Sequence, residues 1–225
     1  MREILLEYGL YIEWLLAAAE VVLTLILFSD FGKKHAPVIL CMALLGVGLV
    51  VDALVIGFGG KLIEPVLMIL SRVRFTMHGL LLPLMLMVCV LVLPLWPVPK
   101  RLLIILTFLL MALGGYAGFM RELAMQDPIG DIVRFASVSP KDSWWEIVNT
   151  GLSYGTIVPV ILTGIYMLIR ERSASILLGG VLMFAFAALG PATGNFDLIF
   201  LSTMFGELFL LLFFTVYEKR HVEDE

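Results

Sequence analysis

Residues 36–58 read APVILCMALLGVGLVVDALVIGF, an apolar run broken by a single charge, Asp52. A helix rises about 1.5 Å per residue, so the run is about 34 Å long, against about 30 Å for the hydrocarbon core of a bilayer. It is too long for a strand and lacks a two-residue alternation. The reading is a membrane-spanning helix, and it poses the question that organises the rest of the chain: what keeps an aspartate inside it.

The chain has 225 residues, of which 61% are hydrophobic and only 15% charged, and its mean hydropathy is +1.04. Soluble domains are about 25% charged, so lipid is the expected solvent. Six further stretches have the length and composition of spans: about 11–29, 71–96, 102–120, 148–169, 174–191 and 197–217. Pro83 and Pro159 fall inside spans and are expected to kink them. The expected fold is an all-α integral membrane protein, one polytopic domain over residues 1–225 forming a seven-transmembrane-helix bundle in the cell membrane. Residues 61–70 read either as an interfacial helix or as an early extension of the third span. We find no internal repeat.

Alternate connections differ in charge. Lys33, Lys34, Lys100, Arg101, Arg170, Arg172, Lys219 and Arg220 fall in one set. The other set, which includes the N-terminus and the long 121–147 loop, has fewer cations per residue and several acids. The positive-inside rule then places the N-terminus outside and the C-terminus in the cytoplasm. The 121–147 loop is long enough to form a lid over the outer mouth. Trp144 and Trp145 within it read as an interfacial anchor, and the tail EKRHVEDE reads as a solvated end. The start, with Glu3, Glu7 and Glu13, is not expected to be a cleavable signal peptide. Cys41 and Cys89 read as core thiols. The net charge of −4 and the absence of a basic stripe with interleaved aromatics point away from nucleic acid.

Asp52 is not the lone ionisable group within a span. Glu20, His78 and Glu207 are others, and all four are expected roughly 9–15 Å below the outer boundary at the helical rise. A charge at mid-span costs about 2.5–3.5 kcal/mol on insertion scales, so such groups normally face the protein interior and pair. Spacing adds neighbours. Glu13 shares a face with Glu20. Ser71, Arg74 and His78 follow i, i+3, i+7, and Asn149, Ser153 and Thr156 follow i, i+4, i+7. Arg74 and His78 are expected to meet Asp52, Glu207 or Glu20, because one arginine makes buried carboxylates far less costly. Arg72 faces elsewhere and is expected to snorkel to headgroups or pair with Glu64. Tyr116, Tyr154 and Asn195 are softer polar groups near the same layer.

Carboxylates, a histidine and an arginine at one depth suit an outward-facing site that binds or translocates a proton, a metal cation or a small cationic solute. Glu20, Asp52, Arg74, His78 and Glu207 are its core, with Glu13, Ser71, Arg72, Asn149, Ser153, Tyr154 and Asn195 in support. A divalent metal is a possible cofactor, with Glu20, Asp52, His78 and Glu207 as candidate ligands. Three alternatives stand beside this reading. One is an intramembrane enzyme acting on lipid, although HExxH does not occur and His78 is the one histidine within a span. The second is an ion-pair network that only holds helices in register. The third is a seven-helix sensor, without retinal because the last span has no lysine in its apolar core. The partners expected are the lipid bilayer and a small ion, solute or lipid substrate.

Overall fold

A computed structural model describes residues 2–193 and 199–222. The main elements are helical: α1 Arg2–Lys34, α2 Pro37–Phe58, α3 Glu64–Leu81, α4 Leu84–Val92, α5 Pro97–Met120, α6 Trp144–Glu171, α7 Ser175–Thr193 and α8 Ile199–His221. A two-stranded antiparallel sheet, β1 Leu123–Met125 with β2 Phe135–Ser137, interrupts the α5–α6 connection. Among the described residues, six segments are long and apolar enough to cross a membrane, with α3 and α4 counted together as Glu64–Val92. The apolar part of α7, Ser175–Leu189, is shorter. The protein is therefore all-α with a multi-pass membrane architecture.

Helix boundaries follow local chemistry. Proline occupies the first helical turn of α2, α3 and α5, where its missing N–H costs nothing. Glu64 opens α3, so residues 64–70 extend the third span instead of forming a separate interfacial helix. That span ends at Val92, short of the expected 96, and it breaks at Leu82–Pro83 into α3 and α4. Pro159 stays inside a continuous α6. The expected loop 121–147 is shorter than anticipated, because Trp144 and Trp145 are already the first turn of α6.

Helix α1 is turned inside out relative to a soluble helix. Leu15, Val22 and Leu25 are exposed, while Glu13, Glu20, Thr24 and Asp30 are buried. Helix α5 likewise presents Leu102, Ile105, Phe108 and Leu109 outward. Lipid exerts no hydrophobic drive between such helices, so close van der Waals approach holds them. Glycine permits that approach between α3 and α5. A Cβ on Gly79 would strike the Gly114 carbonyl, one on Gly114 would strike that of Gly79, and one on Gly118 would strike that of Phe75. This contact fixes the rotation of α3: positions 75 and 79 face α5, and Ser71, Arg74 and His78 turn toward α2. Helix α2 is the hub, packing on α1, α3, α4 and α8.

The two ends of the bundle differ. One carries the β-hairpin. The other carries Lys33, Lys34, Lys100, Arg101, Arg170, Arg172, Lys219 and Arg220. We call them the hairpin end and the basic end.

Candidate functional site

The side chains that answer the opening question lie in the hairpin half. Arg74 Nε on α3 sits 2.9 Å from Asp52 Oδ1 on α2, with both side chains largely buried. The contact is an ion pair not aligned as a hydrogen bond. The guanidinium also lies over the Phe75 ring, 4.4 Å from its centroid. One turn along α3, His78 faces the same side. Ligand atoms of Asp52, His78 and Glu207 all lie within 4.8 Å of one another, which joins α2, α3 and α8 at one level.

Helix α1 adds two more acids. Glu13 and Glu20 are fully buried, and neither carboxylate has a hydrogen-bond partner. Glu207 is 2% exposed and its Oε2 is likewise unpartnered. Glu13 and Glu20 both feel the charge of Asp52, and Glu207 feels those of Asp52, Glu20 and Glu13. Glu13 also lies against Gly57 of α2. Among the described residues, four carboxylates thus share one layer with one paired guanidinium and one imidazole. An unpaired charge in low dielectric costs several kcal/mol, about the scale of a buried ion's net desolvation. Such acids must hold a proton or be balanced by a cation.

Apolar side chains flank this layer on both sides. Toward the hairpin end, Ile132 from the β1–β2 connection is 2% exposed and wedges among Leu16, Ala17, Ala53, Ile56, Leu201 and Met204. Its flanking carbonyls press so closely on Gly59 and Gly60 that a Cβ at either would collide with Val133 O or Asp131 O. Toward the basic end, His78 borders a void of about 20 Å³ walled by Leu45, Leu49, Leu81, Leu211 and Phe214. The void is large enough for one water but has too few polar partners to hold it. Ile132 thus packs over the layer toward the hairpin end, while the Asp52 side chain keeps 18% of its surface exposed.

A second polar group lies apart from this layer. Arg121 Nε, just past the end of α5, is 3.6 Å from Glu146 Oε2 in the first turn of α6. Burial lowers the Arg121 pKa from its ordinary value, and Glu146 opposes that shift. The pair lines a groove of about 380 Å³ with Asn149, Ser153 and Tyr154 of α6 and Phe184 of α7. Ser153 and Tyr154 are exposed there, so they are not part of the acid layer. Asn149 is buried, with Nδ2 donating to Trp145 O at 2.7 Å. Tyr116 is exposed and stacks on Trp144.

Arg72 corrects an expectation. It neither snorkels nor reaches Glu64, but donates to the carbonyls of Phe119, at 2.6 Å, and Arg121. It therefore closes the carbonyl end of α5, where orphan acceptors await a cation. Ser71 is buried with its hydroxyl unpartnered. Asn195 lies outside the described residues.

The basic end holds a cluster that sequence reasoning missed. Asp30 pairs with Lys219 and, at 4.0 Å, with Lys33. Lys34 Nζ is 3.1 Å from Glu218 Oε1 and also donates to Val222 O. Glu218 is fully buried, an exception in a tail read as solvated, whose Lys219 and Arg220 are exposed and whose last three residues lie outside the described ones. Position near a helix end disguised it: a charge there normally reaches water.

Compared with known proteins, the chain matches no family model and no curated protein.

Proposed function

We propose that the protein binds a small cation, a proton or a divalent metal ion, at the Asp52–His78–Glu207 cluster, with Glu20 and Glu13 as a carboxylate reserve that receives or hands on the charge. The observation that carries this reading is the excess of acid: three buried carboxylates and a partly buried fourth against one guanidinium. A network serving only to hold helices in register would match its charges. Helix-to-helix polar contacts in membranes are worth about 0.6 kcal/mol on average, a small return for so many inserted acids.

Each group has a distinct part in the proposal. Arg74 holds Asp52 in place and reduces the net negative charge, so the cluster does not trap a cation irreversibly. His78 is the nitrogen ligand for a metal and the one side chain of the cluster able to pass a proton through either ring nitrogen. Tetrahedral metal ligands at bonds of about 2.1 Å are separated by about 3.4 Å. The 4.8 Å spread is closed by modest side-chain rotation. Alternating access is then movement of the Ile132 wedge on one side and of the leucine layer around His78 on the other. We place the basic end in the cytoplasm and the hairpin end outside on the positive-inside rule, with α7 as the seventh span of a cell-membrane protein.

The test pairs two assays on the same preparation: titration with Zn²⁺ or Mn²⁺ in detergent, and flux driven by a pH gradient in liposomes. The expected result is saturable metal binding or proton flux in the wild type, lost in Asp52→Asn and Glu207→Gln while both variants stay folded. A folded wild type silent in both assays overturns the proposal. His78→Ala sharpens it, weakening metal binding more than proton flux.

A further inference from the structure

The groove lined by Arg121 and Glu146 is not used by the cation reading, and its chemistry changes steadily with depth. Its charged pair stands at the last residue past α5 and the first turn of α6. This is the level at which a spanning helix leaves the hydrocarbon for headgroups. Trp144 and Tyr116 stack beside it, 5.7 Å between centroids, as aromatic groups do at that interface. Below come Asn149 and Ser153, one and two turns down α6. Ala187 and Ala188 of the antiparallel α7 stand level with Ser153, and below them the walls are Ile157, Met183 and Phe184. From Glu146 to Ile157 the descent is about 16 Å at the helical rise. A site polar at the headgroup level and apolar beneath matches an amphiphile standing upright in one leaflet.

The charges specify the head. Arg121 and Glu146 are 3.6 Å apart, beyond the 2.7–2.9 Å of a tight charge-assisted contact, about which such pairs cluster. Arg121 Nε is buried with no hydrogen-bond partner. Glu146 Oε2 has only a marginal 3.5 Å approach from Ser137 Oγ. Both ions keep unused capacity, one for an anion and one for a cation. The small alanines at 187 and 188 leave the groove wide enough at the Ser153 level for a chain to pass, and at about 380 Å³ the groove falls within the 300–1,000 Å³ common for ligand sites, about the lower end.

We propose that this groove seats the head and upper chain of a zwitterionic glycerophospholipid, its phosphate on Arg121 and its ammonium on Glu146. The proposal is independent of the cation site. Arg121 and Glu146 hold the head, Asn149 and Ser153 face the glycerol region, and Phe184 and the two alanines face the chain.

The test is native mass spectrometry of the full chain from bilayers of phosphatidylethanolamine, phosphatidylglycerol and diacylglycerol in equal parts. The expected result is retention of phosphatidylethanolamine at least five-fold over either competitor. Arg121→Gln and Glu146→Gln each reduce that preference to below two-fold, and Ala188→Phe removes the bound lipid while the melting temperature stays within a few degrees. If Ala188→Phe does not fold, the milder Ala187→Leu replaces it. Equal retention of the three lipids, better retention of phosphatidylglycerol, or a preference unchanged in both charge variants overturns the proposal. Free glycerophosphoethanolamine separates the two sources of the same head: it is expected not to displace the lipid at millimolar concentration, and displacement would overturn the requirement for a chain. None of these readouts depends on cation binding, so either proposal can fail alone.

Discussion

The two charged layers of this protein are built on opposite rules. At the basic end, Asp30 and Glu218 face Lys219 and Lys34, acid for base, and α1 is pinned to α8. At the hairpin half, four acids, Glu13, Glu20, Asp52 and Glu207, face one guanidinium, Arg74, which pairs with Asp52. Glu20 and Glu218 are both fully buried, so burial does not distinguish the layers. Partnership does. A matched layer spends its charge on register and needs nothing from outside. An unmatched layer is complete only when something positive enters.

That contrast breaks first at Arg74. Replacing it by Met strands Asp52 among three other acids and is expected to destabilise the protein by about 3–5 kcal/mol, the cost of removing one partner of a buried pair. Thermal unfolding in detergent reads it, and a loss below 1 kcal/mol would mean that Asp52 never depended on the pair. The wedge comes next. Ile132→Ala is expected to cost about 2–4 kcal/mol and to speed modification of a cysteine placed at position 16. An unchanged labelling rate would show that the hairpin does not cover the layer.

Lys34→Met strands Glu218 at the basic end. Because Lys34 is partly exposed, the expected loss is about 2 kcal/mol, below the full figure for a buried pair. Adding Glu218→Leu should restore most of it, and cation binding should not change. A loss of cation binding in this pair would erase the distinction between the layers. Glu207→Gln sits on the other side of the comparison. It is expected to leave stability unchanged or raised, since one of several like charges is gone, while saturable metal binding is lost. Smallest of all is Lys33→Gln. Its partner is 4.0 Å away and its side chain is 70% exposed, so the expected change is about 0–0.5 kcal/mol.

The spans were legible because lipid imposes one simple demand, an apolar run of sufficient length, and α2 satisfies it in plain view. Their ends were less so. A helix that emerges from the bilayer continues for several residues in polar sequence, as α1 does to Lys34 and α3 does from Glu64. Glu20, Asp52 and Glu207 stood out because a carboxylate among leucines is conspicuous. Asp30, Glu218, Arg121 and Glu146 did not, because each lies where charge is ordinary; only packing reveals that they are enclosed. The pairing of Arg74 with Asp52 follows from the rotation of α3, and that rotation is set by Gly79 against Gly114, a backbone contact with no signature in the periodicity of the charges. Tyr154 and Ser153 were misplaced for a related reason. Helical spacing puts residues on a common face but does not say whether that face meets the protein or the lipid.

The most direct test of the unmatched layer is infrared difference spectroscopy of its carboxyl groups. Cation binding predicts a carbonyl band of protonated, buried acid that disappears on raising the pH or adding Zn²⁺, and that is lost in the Glu20→Gln, Glu207→Gln double variant. A spectrum indifferent to pH, to metal and to that double substitution would mean the acids are inert fixtures of the fold, and the account would be wrong.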